Sequence, residues 1–173
     1  MDRETYLKML EDMYYRHFDI YEDREIGGRE FDLYACCRIT NERYMATRSL
    51  KIYQYNDYEH CLVRAGDEFS GRELDDEFFD RCVEELIEVE SGHHQSYLTL
   101  IQVVGKPLSS AEITRVENCS YSRSFWFGLR GWCDLRLLAV DLDRMKVFFN
   151  EEAKEVEENY RPSPLAEKLG YET

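Results

Sequence analysis

Between Ile26 and Arg64 an apolar residue returns at nearly every second position, and this alternation restricts the fold more than any other feature of the chain. Successive side chains of an extended chain point to opposite sides, so strict alternation marks a strand with one face on a core and one in water. In Glu30–Ile39 it sets Phe31, Leu33, Ala35, Cys37 and Ile39 on one face, and Glu30, Asp32, Tyr34, Cys36 and Arg38 on the other. Gly27-Gly28 supplies the positive φ of a tight hairpin, and Thr40-Asn41-Glu42 and Asn56-Asp57 carry later turns. The stretch predicts an antiparallel meander with strands from Phe18, over Glu30–Ile39, over Arg43–Gln54 with a bulge near Thr47–Ser49, and over Tyr58–Arg64.

Helices bracket this meander. Tyr6, Leu7, Leu10, Met13 and Tyr14 form one stripe at helical spacing and predict a helix over Glu4–His17. Ser70-Gly71-Arg72-Glu73 has the form of a capping box and predicts a helix over 71–91, its stripe being Leu74, Phe78, Cys82, Leu86 and Val89, with Gly92 as its cap. Tyr97–Val104 is apolar on both sides, as a covered central strand requires. A second capping box, Ser109 to Glu112, predicts a short helix over 110–117. Strands are expected over Cys119–Leu129, Trp132–Leu142 and Met145–Phe149, then a helix over 151–160 capped by Asn150. Arg161-Pro162-Ser163-Pro164 should stop it. The expected fold class is α+β: an antiparallel or mixed sheet of about seven or eight strands in a single domain over 1–160, followed by a loosely ordered tail over 161–173.

Composition bounds the function. A net charge of −14 speaks against general nucleic-acid binding, which depends on accumulated Lys and Arg. No apolar run reaches the roughly 18 residues of a membrane helix, and the first residues lack the basic-then-apolar pattern of a signal peptide, so a cytoplasmic protein is expected. The six cysteines include no C-x-x-C pair; reduced thiols are expected, with no metal site and no cofactor. His93-His94 read as a solvated loop pair without companion ligands at metal spacing, His60 and Cys61 point to opposite faces of one strand, and His17 ends the first helix.

Two constellations remain. Asp32 lies early in one strand of the meander and Lys51 in the next, with Glu30 on the same face as Asp32. A carboxylate followed on a neighbouring strand by an acid-x-Lys pair can hold a hard cation and bring a lysine to a reacting phosphate. This placement, with the order helix, meander, helix and buried strand, resembles metal-dependent nucleases of the PD-(D/E)XK type. The resemblance implies a phosphodiesterase fold with Asp32, Lys51 and Glu30 as its weak catalytic candidates. Where that pattern has an acid two residues before the lysine, this chain has Ser49, so one metal ligand is missing. Asp32 and Lys51 equally suit an exposed cross-strand pair.

The other constellation is Ser124-Phe125-Trp126-Phe127-Gly128-Leu129-Arg130-Gly131-Trp132, with aromatic residues on both faces and glycines that admit close backbone approach. Core packing explains such a run most simply. A ligand pocket, if built here, has Arg123, Trp126, Arg130 and Trp132 at its rim. With no intact catalytic set and with Tyr34, Tyr53 and Tyr55 expected on an outer face, the chain reads as a non-enzymatic module that binds a protein partner or a second copy of itself. The alternatives are the degenerate PD-(D/E)XK-like enzyme and a small-molecule binder with an aromatic pocket.

Overall fold

The structure, a computed structural model, describes residues 1–38, 57–71, 74–89, 93 and 95–171. Helix α1 (Arg3–Tyr14) starts at Asp2, whose carboxylate accepts the Thr5 amide, and it buries Tyr6, Met9, Leu10 and Tyr14 along one stripe. Strands β1 (Asp19–Ile26) and β2 (Arg29–Arg38) form a hairpin about Gly27-Gly28, both at positive φ. Next come β3 (Asp57–Gly66), α2 (Asp76–Leu86), β4 (Gln95–Val104) and α3 (Ser110–Asn118). The chain ends with β5 (Ser122–Ser124), β6 (Trp132–Asp141), β7 (Lys146–Phe149), two 3-10 turns and α4 (Pro162–Leu169).

The strands of the described residues make one seven-stranded mixed sheet in the order β1-β2-β3-β4-β6-β5, with β7 also paired to β6. The first three strands are antiparallel, whereas β3, β4 and β6 run parallel. Parallel neighbours require crossover connections, and α2 and α3 provide them on the same face because the strand order advances in one direction. The other face is covered by α1, the 3-10 turns and α4. Covered on both sides, β4 and β6 show almost continuous burial rather than alternation. The fold is thus α+β with a mixed sheet.

Several expectations change. The strand expected over 43–54 lies outside the described residues; β3 pairs directly with β2, Cys37 opposite Glu59. Tyr34 is buried rather than exposed, and Tyr53 and Tyr55 lie outside the described residues. Phe31 joins the α2 layer while Leu33 and Ala35 join the α1 layer, so the single alternating face does not run through Asp32. Helix α2 is shorter than 71–91: the Asp75 carboxylate accepts the Phe78 amide and caps it, while the Ser70 amide is turned to the Gln102 side chain. The long strand expected over 119–129 is reduced to β5, because Trp126, Phe127 and Gly128 adopt positive φ and break the extended chain. The helix expected over 151–160 is a pair of 3-10 turns. Its inward residues fall in steps of three, Ala153 with Val156 and Glu157 with Tyr160, which is the repeat of that turn. Beyond Arg161 the tail forms α4, which buries Leu165 and Ala166. Pro162 sits in its first turn, where proline suits a helix instead of stopping one.

One buried charge pair joins the parallel strands. Glu59 of β3 and Arg136 of β6 are each 1% exposed, with 3.6 Å between Oε2 and Nη1. Thr99 of β4 donates to Glu59 Oε1 at 2.7 Å, Arg136 Nε donates to the Glu152 carbonyl at 3.2 Å, and the guanidinium lies 3.5 Å from the Tyr97 ring centre. Burial raises the Glu59 carboxyl above the usual range despite the guanidinium and the Thr99 hydroxyl. Removing one partner strands the other, so Arg136→Ala is expected to cost about 3–5 kcal/mol, and Glu59→Leu with Arg136→Met to recover most of it. Urea unfolding of the parent and both variants checks this; a double variant as unstable as Arg136→Ala would show that the pair does more than neutralise its own charges.

Candidate functional site

Asp32 stands where β2 and β3 separate. Their pairing ends at Leu33 opposite Val63, and just beyond it Asp32 Oδ2 accepts the Ala65 amide at 2.8 Å. The carboxylate takes the place of a ladder carbonyl and closes the wedge. A cleft of about 350 Å³ opens beside it, lined by Asp23, Glu30, Phe31, Asp32, Arg64 and Ala65. Glu30 and Asp32 therefore share one concave surface. Lys51 and Ser49 lie outside the described residues. Among the described residues no three His, Cys, Asp or Glu side chains are grouped to hold a metal ion.

The four residues proposed for an aromatic pocket have separate roles. Arg123 leaves the loop for α2, with Nη1 3.2 Å from Asp80 and Nη2 3.0 Å from Glu84, beside a Tyr121 hydroxyl that donates to Asp80 at 2.7 Å. Trp132 is half-buried at the start of β6, between Ser124 and Gln95. Trp126 and Arg130 are brought together, the guanidinium lying 4.9 Å from the indole. They belong to a compact knuckle over residues 125–131. Its backbone closes on itself: the Phe125 amide donates to the Gly131 carbonyl, and the Gly128 and Arg130 amides donate to the Phe125 carbonyl. Trp126 and Phe127 hold φ of 51° and 54°, a region that costs an L-residue about 1–2 kcal/mol. Their side chains face outward: Trp126 is 67% exposed, Leu129 87%, and Phe127 fully.

His93 is buried rather than solvated and anchors the base of the knuckle. A carbonyl can only accept, so Nδ1 donates to the Arg130 carbonyl at 2.8 Å, and Nε2 lies 2.7 Å from the buried Ser96 hydroxyl. The ring meets Phe125 edge-on and stacks on Tyr58. His94 lies outside the described residues. This use of His93 has no metal-ligand pattern behind it; only the fold brings Arg130 and Ser96 to its two nitrogens.

Tyr58 leads to a second cleft, of about 320 Å³, between the sheet and the end of α2. Tyr34, Cys36, Tyr58 and His60 line it from β2 and β3, Leu86 and Ile87 from α2 and the residue after it, and the exposed Asp19 and Glu88 stand at its edge. The Tyr34 hydroxyl lies 2.9 Å from His60 Nδ1, with the two rings 4° from parallel. Tyr21 stacks on the Tyr34 ring. Burial, with a contribution from His93, holds the His60 imidazole down at about 4. Burial likewise raises the Tyr34 hydroxyl and the Cys36 thiol above their ordinary values. All three groups are therefore polar and uncharged at neutral pH. In sequence His60 has Cys61 as its neighbour, on the opposite face; its partner Tyr34 is across the strand pair. The available signal was Tyr34 alternating with Cys36 on the face assigned to water.

An imidazole kept neutral in the fold binds fewer protons than in the unfolded chain between pH 6.5 and about 4. Its contribution is complete above 6.5 and is lost as the pH falls through the folded value, a span of about 3 kcal/mol. Between pH 7 and pH 4 the parent is expected to lose about that much more stability in urea unfolding than His60→Gln. Equal losses would mean that the imidazole is solvated.

Among the described residues no helix is long and apolar enough to cross a membrane. No curated protein and no solved structure matches the chain. Residues 2–162 match the family described as Domain of unknown function (DUF8052). That match takes in all seven described strands and reaches the first residue of α4, so the protein belongs to the DUF8052 family.

Proposed function

We propose that the protein is a non-enzymatic binding module that docks on a partner protein through the knuckle over residues 125–131. The observation that carries this reading is the exposure of Trp126, Phe127 and Leu129 together on one closed turn. Scattered exposed apolar residues are ordinary, but three large ones within four positions form a patch that water disfavours. Aromatic anchors of this kind dominate interface energies when a partner buries them. The internal hydrogen bonds and the His93 anchor hold the backbone in place before binding, so little ordering cost is left for the encounter.

Charge favours a different protein over a second copy. Two chains of net charge −14 repel each other, whereas Arg130 beside Trp126 offers a local positive group to an acidic rim. The occupant that fits is a protein with an apolar pocket bordered by carboxylates.

The test is the triple variant Trp126→Ser, Phe127→Ser, Leu129→Ser. Its stability is expected to stay within about 1 kcal/mol of the parent, since these side chains are in water. Quantitative affinity capture from cells should identify a protein whose enrichment collapses with the variant, and the purified pair should bind at least about 100-fold more weakly. Light scattering should find the parent monomeric. Unchanged capture by the variant, or knuckle-dependent dimers of the parent, overturns the assignment.

A further inference from the structure

We infer that the cleft between β2, β3 and the end of α2 is a binding site for a planar aromatic molecule carrying a protonated amine. Its volume of about 320 Å³ is that of about ten water molecules, which suits one bicyclic ring system with a short side arm. The lining combines aromatic rings with uncharged polar groups: Tyr58, the hydrogen-bonded Tyr34–His60 pair and the Cys36 thiol, against the aliphatic Leu86 and Ile87. None of the described residues inside the cleft compensates a buried charge, so the part of the ligand that enters is neutral and flat.

The edge is different. Asp19 and Glu88 are exposed there, and neither forms an ion pair among the described residues. Among the described residues no Lys or Arg lines the cleft, and the Arg24 guanidinium is placed 5.8 Å from the Tyr34 ring and 5.1 Å from Tyr21. A phosphate or carboxylate would meet two like charges and, among the described residues, no cationic donor. An ammonium at the edge gains both carboxylates and the field of a protein of net charge −14. The amine therefore lies at the edge and the ring inside. This selection is independent of the knuckle, which is built from other residues.

The probe is tryptamine, compared with indole-3-acetate, which presents the same ring with the opposite charge. Titration calorimetry on the full chain should give saturable binding of tryptamine, and indole-3-acetate should bind at least about tenfold more weakly. In amide NMR spectra the shifts should centre on Tyr34, Tyr58 and His60. The variant Asp19→Asn, Glu88→Gln changes only exposed groups and should weaken tryptamine about tenfold while leaving indole-3-acetate unchanged or stronger. Ile87→Trp should fill the cleft and abolish binding, and the triple knuckle variant should bind as the parent does. No saturable binding, equal affinity for the two indoles, or tryptamine affinity indifferent to the loss of both carboxylates would each overturn the assignment.

Discussion

A guanidinium buried among three parallel strands sets the terms for this fold. Arg136 reaches from β6 across the Tyr97 ring of β4 to Glu59 of β3, and on its other side it donates to the first 3-10 turn. A charge in that position is tolerable only while its partners remain in place. Strand register, the Thr99 hydroxyl and the path of residues 151–160 are therefore mutually dependent. Asn150 reinforces the same junction. Its buried side chain accepts from the Leu137 amide and donates to the Cys119 and Leu135 carbonyls, so the chain leaving β7 is tied back to the sheet.

This arrangement leaves the two faces of the sheet with different tasks. The face under α1 and α4 is closed by Tyr6, Tyr14 and Tyr160, whose hydroxyls bond within the core. The α2 face ends in a row of rings that comes to the surface. Tyr34 and His60 pair in the cleft, Tyr58 stacks on His93, and His93 meets Phe125 and holds the Arg130 carbonyl. Cleft and knuckle are thus neighbours along one contact path, and both proposed binding roles fall on this side of the molecule. Arg123 and Tyr121 bind α2 beside them.

Local sequence chemistry was most legible where neighbours in the chain make the bonds. The capping box from Ser109 to Glu112, the glycine hairpin, the stripe of α1 and the doubly apolar β4 all follow from spacing alone, because each depends on contacts a few residues apart or on one uniform environment. Legibility failed at Ser70, at the strand expected over 119–129 and beyond Arg161. In each case local signals were real but a distant partner took part: Gln102 took the Ser70 amide, His93 held the Arg130 carbonyl of the closed turn that replaced the β pattern, and the core below α1 gave Leu165 and Ala166 somewhere to go.

The chain by itself determined an α+β protein with an amphipathic first helix, a hairpin at Gly27-Gly28 and a covered central strand, since periodicity and turn chemistry are written in consecutive residues. Tertiary structure alone decided that Asp32 serves a backbone amide, that Tyr34 turns inward to His60, and that Trp126, Phe127 and Leu129 remain in water. The reason is common to all three. A side chain's role depends on what stands across the strand or beneath the helix, and that neighbour is supplied by parts of the chain dozens of residues away.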